Sequence, residues 1–169
     1  MPTRQQVVDL WNSDDLVALG MHADALRKRL HPEGIVTYTI MRDESLLEHV
    51  FKRTDGLDER IQTLESLCRG QEEAAEFQAF RPLVEASASG MEYVKTVALS
   101  RLLLDHIPHL QGTWTLFGLK LAQLSLRFGA NDLGVVDGNV SEEELRRVIR
   151  DAGFVPKQRD ALFRTYSIA

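Results

Sequence analysis

His106 and His109, three residues apart, are the first side chains here that could hold a metal. A zinc site needs at least a third donor. No cysteine or third histidine lies near, and Pro108 between them ends any shared helical face. No metal site is therefore expected. The single cysteine, Cys68, shares an apolar helical side with Leu64 and Leu67, and nothing basic is placed to lower its pKa. A buried, inert thiol is expected there. Gly118-Leu119-Lys120 follows a strand pattern and opens a helix, where free backbone amides and a cation suit a carboxylate or phosphate. One glycine does not make a phosphate loop. Asn131-Asp132 follow Gly129-Ala130, where such side chains serve a turn as readily as a ligand. Trp114 fits a core position or a ligand-facing rim. His22, His31 and His49 are scattered and expected at the surface. With no nucleophile–base pair in view, a cofactor-independent enzyme would have to use His109 or Asp132 as its acid–base group.

The elements that must position these residues alternate. Leu16, Leu19, Ala23, Leu26 and Leu30 step by three and four, predicting a helix over residues 14–30 that His31-Pro32 stops. The β-branched run 35–40 reads as a strand, and 46–51 as a weaker one. Asp58 caps a helix ending at Gly70, and a strand follows over 77–84. Met91, Val94, Ala98 and Leu102 line a helix that stops before Pro108. Residues 110–117 read as a strand, Gly118 to Gly129 as a helix and 132–136 as a short strand. Ser141 with Glu144 forms a capping box for a last helix ending at Gly153, with Val140 and Leu145 as its hydrophobic staple.

Strands alternating with helices imply a parallel sheet with right-handed crossovers. A complete eight-unit barrel needs about 250 residues, and this chain has 169. The expected fold is thus α/β: a truncated (half) TIM-type barrel, or a small open parallel sheet of about five strands flanked by helices. One domain spans 1–169, with an N-terminal helical segment over 1–31, strand–helix units over 35–136, and a C-terminal helix and tail over 141–169. With 44% hydrophobic residues and only 5 Pro, the chain can bury an ordinary core. A net charge of -5 argues against a nucleic-acid partner or an anionic membrane surface. The lone cysteine excludes an internal disulfide and points to a reducing, cytoplasmic setting. The first ten residues are polar, without a signal-peptide core, and no apolar run approaches the roughly 18 residues of a membrane span.

The stretch LLLDHIPHLQGTWTLFGLKLAQLSLRFGANDLG, residues 102–134, resembles the C-terminal part of the barrel in one group of radical S-adenosylmethionine (SAM) enzymes. The group comprises aminofutalosine synthase, dehypoxanthine futalosine cyclase and the deazaflavin-precursor synthase subunits. LRKRLHPEGIVTYTIMR looks like its barrel entry, and the FQAF of residues 77–80 is similar to a later strand of the type GGFQxFIPL. The FQAF and KLAQLSLRFGANDLG wording is nearest aminofutalosine synthase. The resemblance implies a substrate cavity at the strand ends, to which His109, Gln111, Trp114, Asn131 and Asp132 would contribute. It also gives Lys120 a place in a similar Gly-x-Lys. The family holds a 4Fe-4S cluster on a CxxxCxxC loop; here residue 42 runs straight on to Asp43, and one cysteine cannot form that cluster. No cofactor is expected. The implied function is a non-catalytic barrel remnant that binds a small molecule of the menaquinone (futalosine) route or a protein. Two uncovered sheet edges make a homodimer the expected assembly; a regulatory subunit docked on a full-length relative is the other open reading.

Overall fold

A computed structural model describes residues 2–43, 46–74 and 77–166, without the side chains of 71–74. The chain runs α1 (Arg4–Asn12), α2 (Leu16–Leu30), β1 (Ile35–Thr39), β2 (Leu46–Phe51), α3 (Leu57–Ala74), β3 (Ala79–Val84), α4 (Gly90–Leu103), β4 (His109–Leu110), α5 (Leu119–Ser125), a short 3-10 turn, β5 (Asp132–Val135), α6 (Glu142–Asp151) and β6 (Val155–Gln158).

All strand pairs are parallel, in two three-stranded sheets ordered β2-β3-β4 and β5-β1-β6. A bridge between Gln111 and Asp132 joins them, carried by Gly112 N donating to Asp132 O at 2.8 Å and Asn131 N to Leu110 O at 3.0 Å. The order across the molecule is therefore β2-β3-β4-β5-β1-β6. This is the partial parallel barrel or open sheet that the alternation predicts, with one strand more than expected.

Alternation along the strands sorts the two faces. Val36, Tyr38, Phe51, Phe80, Val84, Leu110 and Leu133 are buried in the apolar core with Leu19, Ala23, Val94, Val97, Leu126 and Leu145 from the helices. Thr37, Glu48, Arg81, Gln111 and Asp132 are one residue out of step with that set and face away from the helices. Ser141 caps α6 as predicted, accepting from Glu144 N while Glu144 accepts from Ser141 N.

Four expectations change. The strand expected over 110–117 ends at Leu110, with Gln111 bridged to Asp132. Thr113 N donates to the Tyr93 hydroxyl at 2.7 Å, Gly118 N donates to Trp114 O at 2.9 Å, and the chain turns away after Gln111. A Cβ at Gly112 would lie 2.3 Å from the Ser125 hydroxyl, so glycine lets this turn pack on α5. Second, α1 precedes the expected first helix, started by a capping box of Thr3 and Gln6. Third, β6 joins the edge of β1, pairing Ile35 with Val155 through Tyr38 with Gln158. Helix α3 also runs past Gly70 to Ala74.

Candidate ligand-binding site

One chain of hydrogen bonds crosses the sheet on the side away from the helices. At its centre the Asp132 carboxylate, fully buried, takes a two-pronged bond from Arg159, Nε to Oδ1 at 2.6 Å and Nη2 to Oδ2 at 2.8 Å. Thr37 Oγ1 donates to Asp132 at 2.6 Å, Gln111 Nε2 at 2.7 Å and Gly134 N at 2.9 Å. Arg159 Nη1 also reaches Asp43 at 2.6 Å, and its guanidinium lies 3.7 Å from the Phe163 ring centroid. Gln111 links outward: Nε2 to Asp43 at 3.0 Å, while its Oε1 accepts from Arg81 Nη1 at 3.0 Å. Arg81 in turn pairs with Glu48. Each of the six strands, or the residue just after it, thus supplies one polar side chain.

Burial works against charge at Asp132, yet the Arg159 pairing and the Thr37 and Gln111 bonds hold its carboxyl below the usual range. Burial likewise opposes charge on Arg159, and the two carboxylates raise it despite that. The centre is a satisfied ion pair. The Arg81–Glu48 end is open: their side chains are 29% and 49% exposed.

The candidate residues separate. Gln111 and Asp132 stand in the polar chain. His109 is on the same side, its ring stacked on Phe163 at 4.7 Å and tilted against His31 at 5.5 Å. Burial, with the His31, Arg159 and Arg101 charges, lowers its pKa to about 4 against the opposing pull of Asp132. Asn131 points to the helix side, where its Oδ1 accepts from buried Arg101 at 2.9 Å and from Leu110 N at 2.9 Å. Trp114 is 9% exposed within the apolar core. Lys120 is exposed on α5, in a hollow with Leu121, Arg127 and Asp151, apart from the polar chain. Two side expectations are corrected. His31 is largely buried, with Nε2 2.6 Å from Pro108 O. Cys68 is half-buried and has a basic neighbour, its Sγ 3.9 Å from His106 Nδ1.

Sequence reasoning missed Arg81, Glu48, Asp43, Thr37 and Arg159. The AFRPLV strand carried a signal for Arg81, the one charge out of step with Phe80 and Val84. Arg159 carried none, because its partners lie 27 and 116 residues away.

These features define a segment of a parallel α/β barrel with a polar inner face. The family described as CofH/MqnC C-terminal region matches residues 69–169, and the chain belongs to that family. It is 31% identical over 170 residues to aminodeoxyfutalosine synthase of Thermus thermophilus, covering 82% of this chain and 43% of that protein. It is 32% identical over 144 residues to the 5-amino-6-(D-ribitylamino)uracil–L-tyrosine 4-hydroxyphenyl transferase of Methanothermobacter thermautotrophicus (68% and 39%). To cyclic dehypoxanthine futalosine synthase of Streptomyces coelicolor it is 33% identical over 123 residues (60% and 31%). The chain spans less than half the length of these relatives, and its relation is to the radical SAM group of the futalosine (menaquinone) route.

The cluster that this relation implies does not fit the donors present. A 4Fe-4S cluster takes thiolates, and the one thiol, Cys68, lies on α3 against Leu103 O and His106, away from the polar face. Among the described residues no group of three or more His, Cys, Asp or Glu could hold a metal ion, and no helix is long and apolar enough to cross a membrane.

Proposed function

We propose that this chain binds rather than performs radical chemistry, holding a polar, hydroxyl-bearing small molecule of the futalosine route against the inner face of its sheet. The observation that carries this is the open end of the hydrogen-bonded chain. Arg81 and Glu48 are part-exposed and face the same side as Gln111, giving a donor fork beside an acceptor. A ligand hydroxyl bridging the two would exchange water contacts for charge-assisted bonds, each worth about 1.5–3 kcal/mol. Asp132 and Asp43 hold Gln111 in place from behind; both are already paired with Arg159 and supply rigidity rather than contacts.

The test is calorimetric titration of the protein with aminodeoxyfutalosine and with cyclic dehypoxanthine futalosine. Saturable binding is expected for at least one, weakened roughly 10-fold or more in Arg81→Met. Absence of heat with both, or equal binding by a folded Arg81→Met protein, would sink the reading.

A second reading, assembly, has its own support: among the described residues the outer edge of β2 carries no strand partner. Unpaired edges invite a second chain. Native mass spectrometry at micromolar concentration should give a homodimer; a monomer, alone or mixed with a full-length relative, would remove this reading.

A further inference from the structure

Helix α2 buries Leu19, Ala23 and Leu26 in the core and turns its opposite side outward. On that side stand Val17 and Met21, 70% and 68% exposed, the two most exposed large apolar side chains among the described residues. Ala25, one turn further on, is exposed as well. Beside them a groove of about 340 Å³ lies between α2 and α5, lined by Leu16, Gly20, Leu124 and Phe128, with the Asp24–Arg127 ion pair in its wall. Gly20 lets the Phe128 ring close in, since a Cβ there would lie 3.0 Å from it. A contiguous apolar patch of this kind marks an interaction surface.

The charges at the two ends of the helix say which partner fits. Asp14 and Asp15 are exposed at its start, Lys28 and Arg29 at its end, and among the described residues none of the four makes an ion pair. The face is therefore complementary to itself reversed. Val17 and Ala25 are each four residues from Met21, and Asp14 and Lys28 each seven. A two-fold axis through Met21 sets Val17 against the second copy's Ala25 and Asp14 against its Lys28. A parallel contact would set like charges together. We infer that two copies of this chain meet on this face, their α2 helices antiparallel across a two-fold axis and each Met21 seated against the other copy's groove. The contact is isologous, the commonest arrangement of a homodimer. The unbranched thioether of methionine fills an irregular groove, and antiparallel helices set the positive end of one dipole beside the negative end of the other. This rests on the assembly reading above and gives that assembly a face other than the β2 edge.

The experiment is native mass spectrometry of the full chain at micromolar concentration, with Met21→Glu, Val50→Lys, Lys28→Glu and the double variant Asp14→Lys/Lys28→Glu beside the wild type. Met21 and Val50 are exposed, so neither change disturbs the core, and circular dichroism confirms the fold. Met21→Glu buries an unpaired charge in the contact and should raise the dissociation constant of the dimer roughly 10-fold or more. Val50→Lys, which charges the β2 edge, should leave it unchanged. Lys28→Glu should weaken the dimer several-fold by setting two carboxylates together, and reversing Asp14 as well should restore it. A dimer indifferent to Met21→Glu, or lost in Val50→Lys, overturns the α2 face and leaves the assembly reading standing. No recovery in the double variant overturns the antiparallel contact. A monomeric wild type sinks both readings, and a complex formed only with a full-length relative overturns the self-contact.

Discussion

Arg159→Met is expected to lower the unfolding free energy by about 3–5 kcal/mol. Both partners are removed from water: Arg159 and Asp132 are 0% exposed. Removing the guanidinium leaves a buried carboxylate with only Thr37, Gln111 and Gly134 N as partners, all neutral. Neutral donors do not repay the desolvation of a full charge. Asp43 loses its cation in the same step, and Phe163 loses the guanidinium that it covers. The companion variant separates the penalty of a stranded charge from the worth of the pair. Adding Asp132→Asn to Arg159→Met should recover part of the loss, since no buried charge then remains. Urea titration at constant m-value reads both effects. A loss below about 1 kcal/mol for the single variant would mean that Asp132 is not held as a buried anion.

The pH response is the second large effect. His109 titrates at about 4 when folded, against 6.5 for a free imidazole. Burial is the first cause; the neighbouring charges of His31, Arg159 and Arg101 add to it, and Asp132 opposes it. Between those two values the unfolded chain binds a proton that the folded chain refuses. Stability contributed by the neutral imidazole is therefore complete above 6.5, falls as pH drops, and is lost once pH has passed through about 4. From pH 7.5 to 4.5 the linkage amounts to about 2.5 kcal/mol. His31, lowered mainly by its own burial, works in the same direction. His109→Gln keeps an acceptor for Asn131 Nδ2, now 3.1 Å from His109 Nδ1, and does not titrate. Its stability should fall less over this interval, by about the same 2.5 kcal/mol. Parallel pH curves for variant and wild type would show that His109 is not held neutral.

The split between what could be read early and late follows the range of the forces. Helices α2, α4 and α6 were legible because their signals are local: an apolar stripe at three and four, a cap, a stop. Ser141 with Glu144 is the clearest, a capping box closed within four residues. The Leu46–Phe51 strand, weak on propensity, forms because β3 pairs with it along six residues. The run 110–117 carried enough β-branched and aromatic residues to read as a strand, yet contacts from Tyr93 and Ser125 turn it into a loop after Gln111. Strand β6 left no pattern, being four residues with a proline and two polar side chains; backbone pairing with β1 makes it.

Composition and periodicity determined that this chain is a parallel α/β fold with one thiol; its resemblance to a known barrel family supplied the expectation of a three-thiolate cluster, for which that one thiol is too few. Tertiary structure alone decided which polar residues share a face. The six candidates from the sequence scatter: Gln111 and Asp132 enter the polar chain, His109 stacks beside it, Asn131 turns to the helices, Trp114 enters the core and Lys120 stays outside. The reason is physical. A side chain's direction follows from strand register and from the turn that ends the strand. Both are fixed by pairing between segments as far apart as Asp43 and Arg159, and no local pattern encodes such a distance.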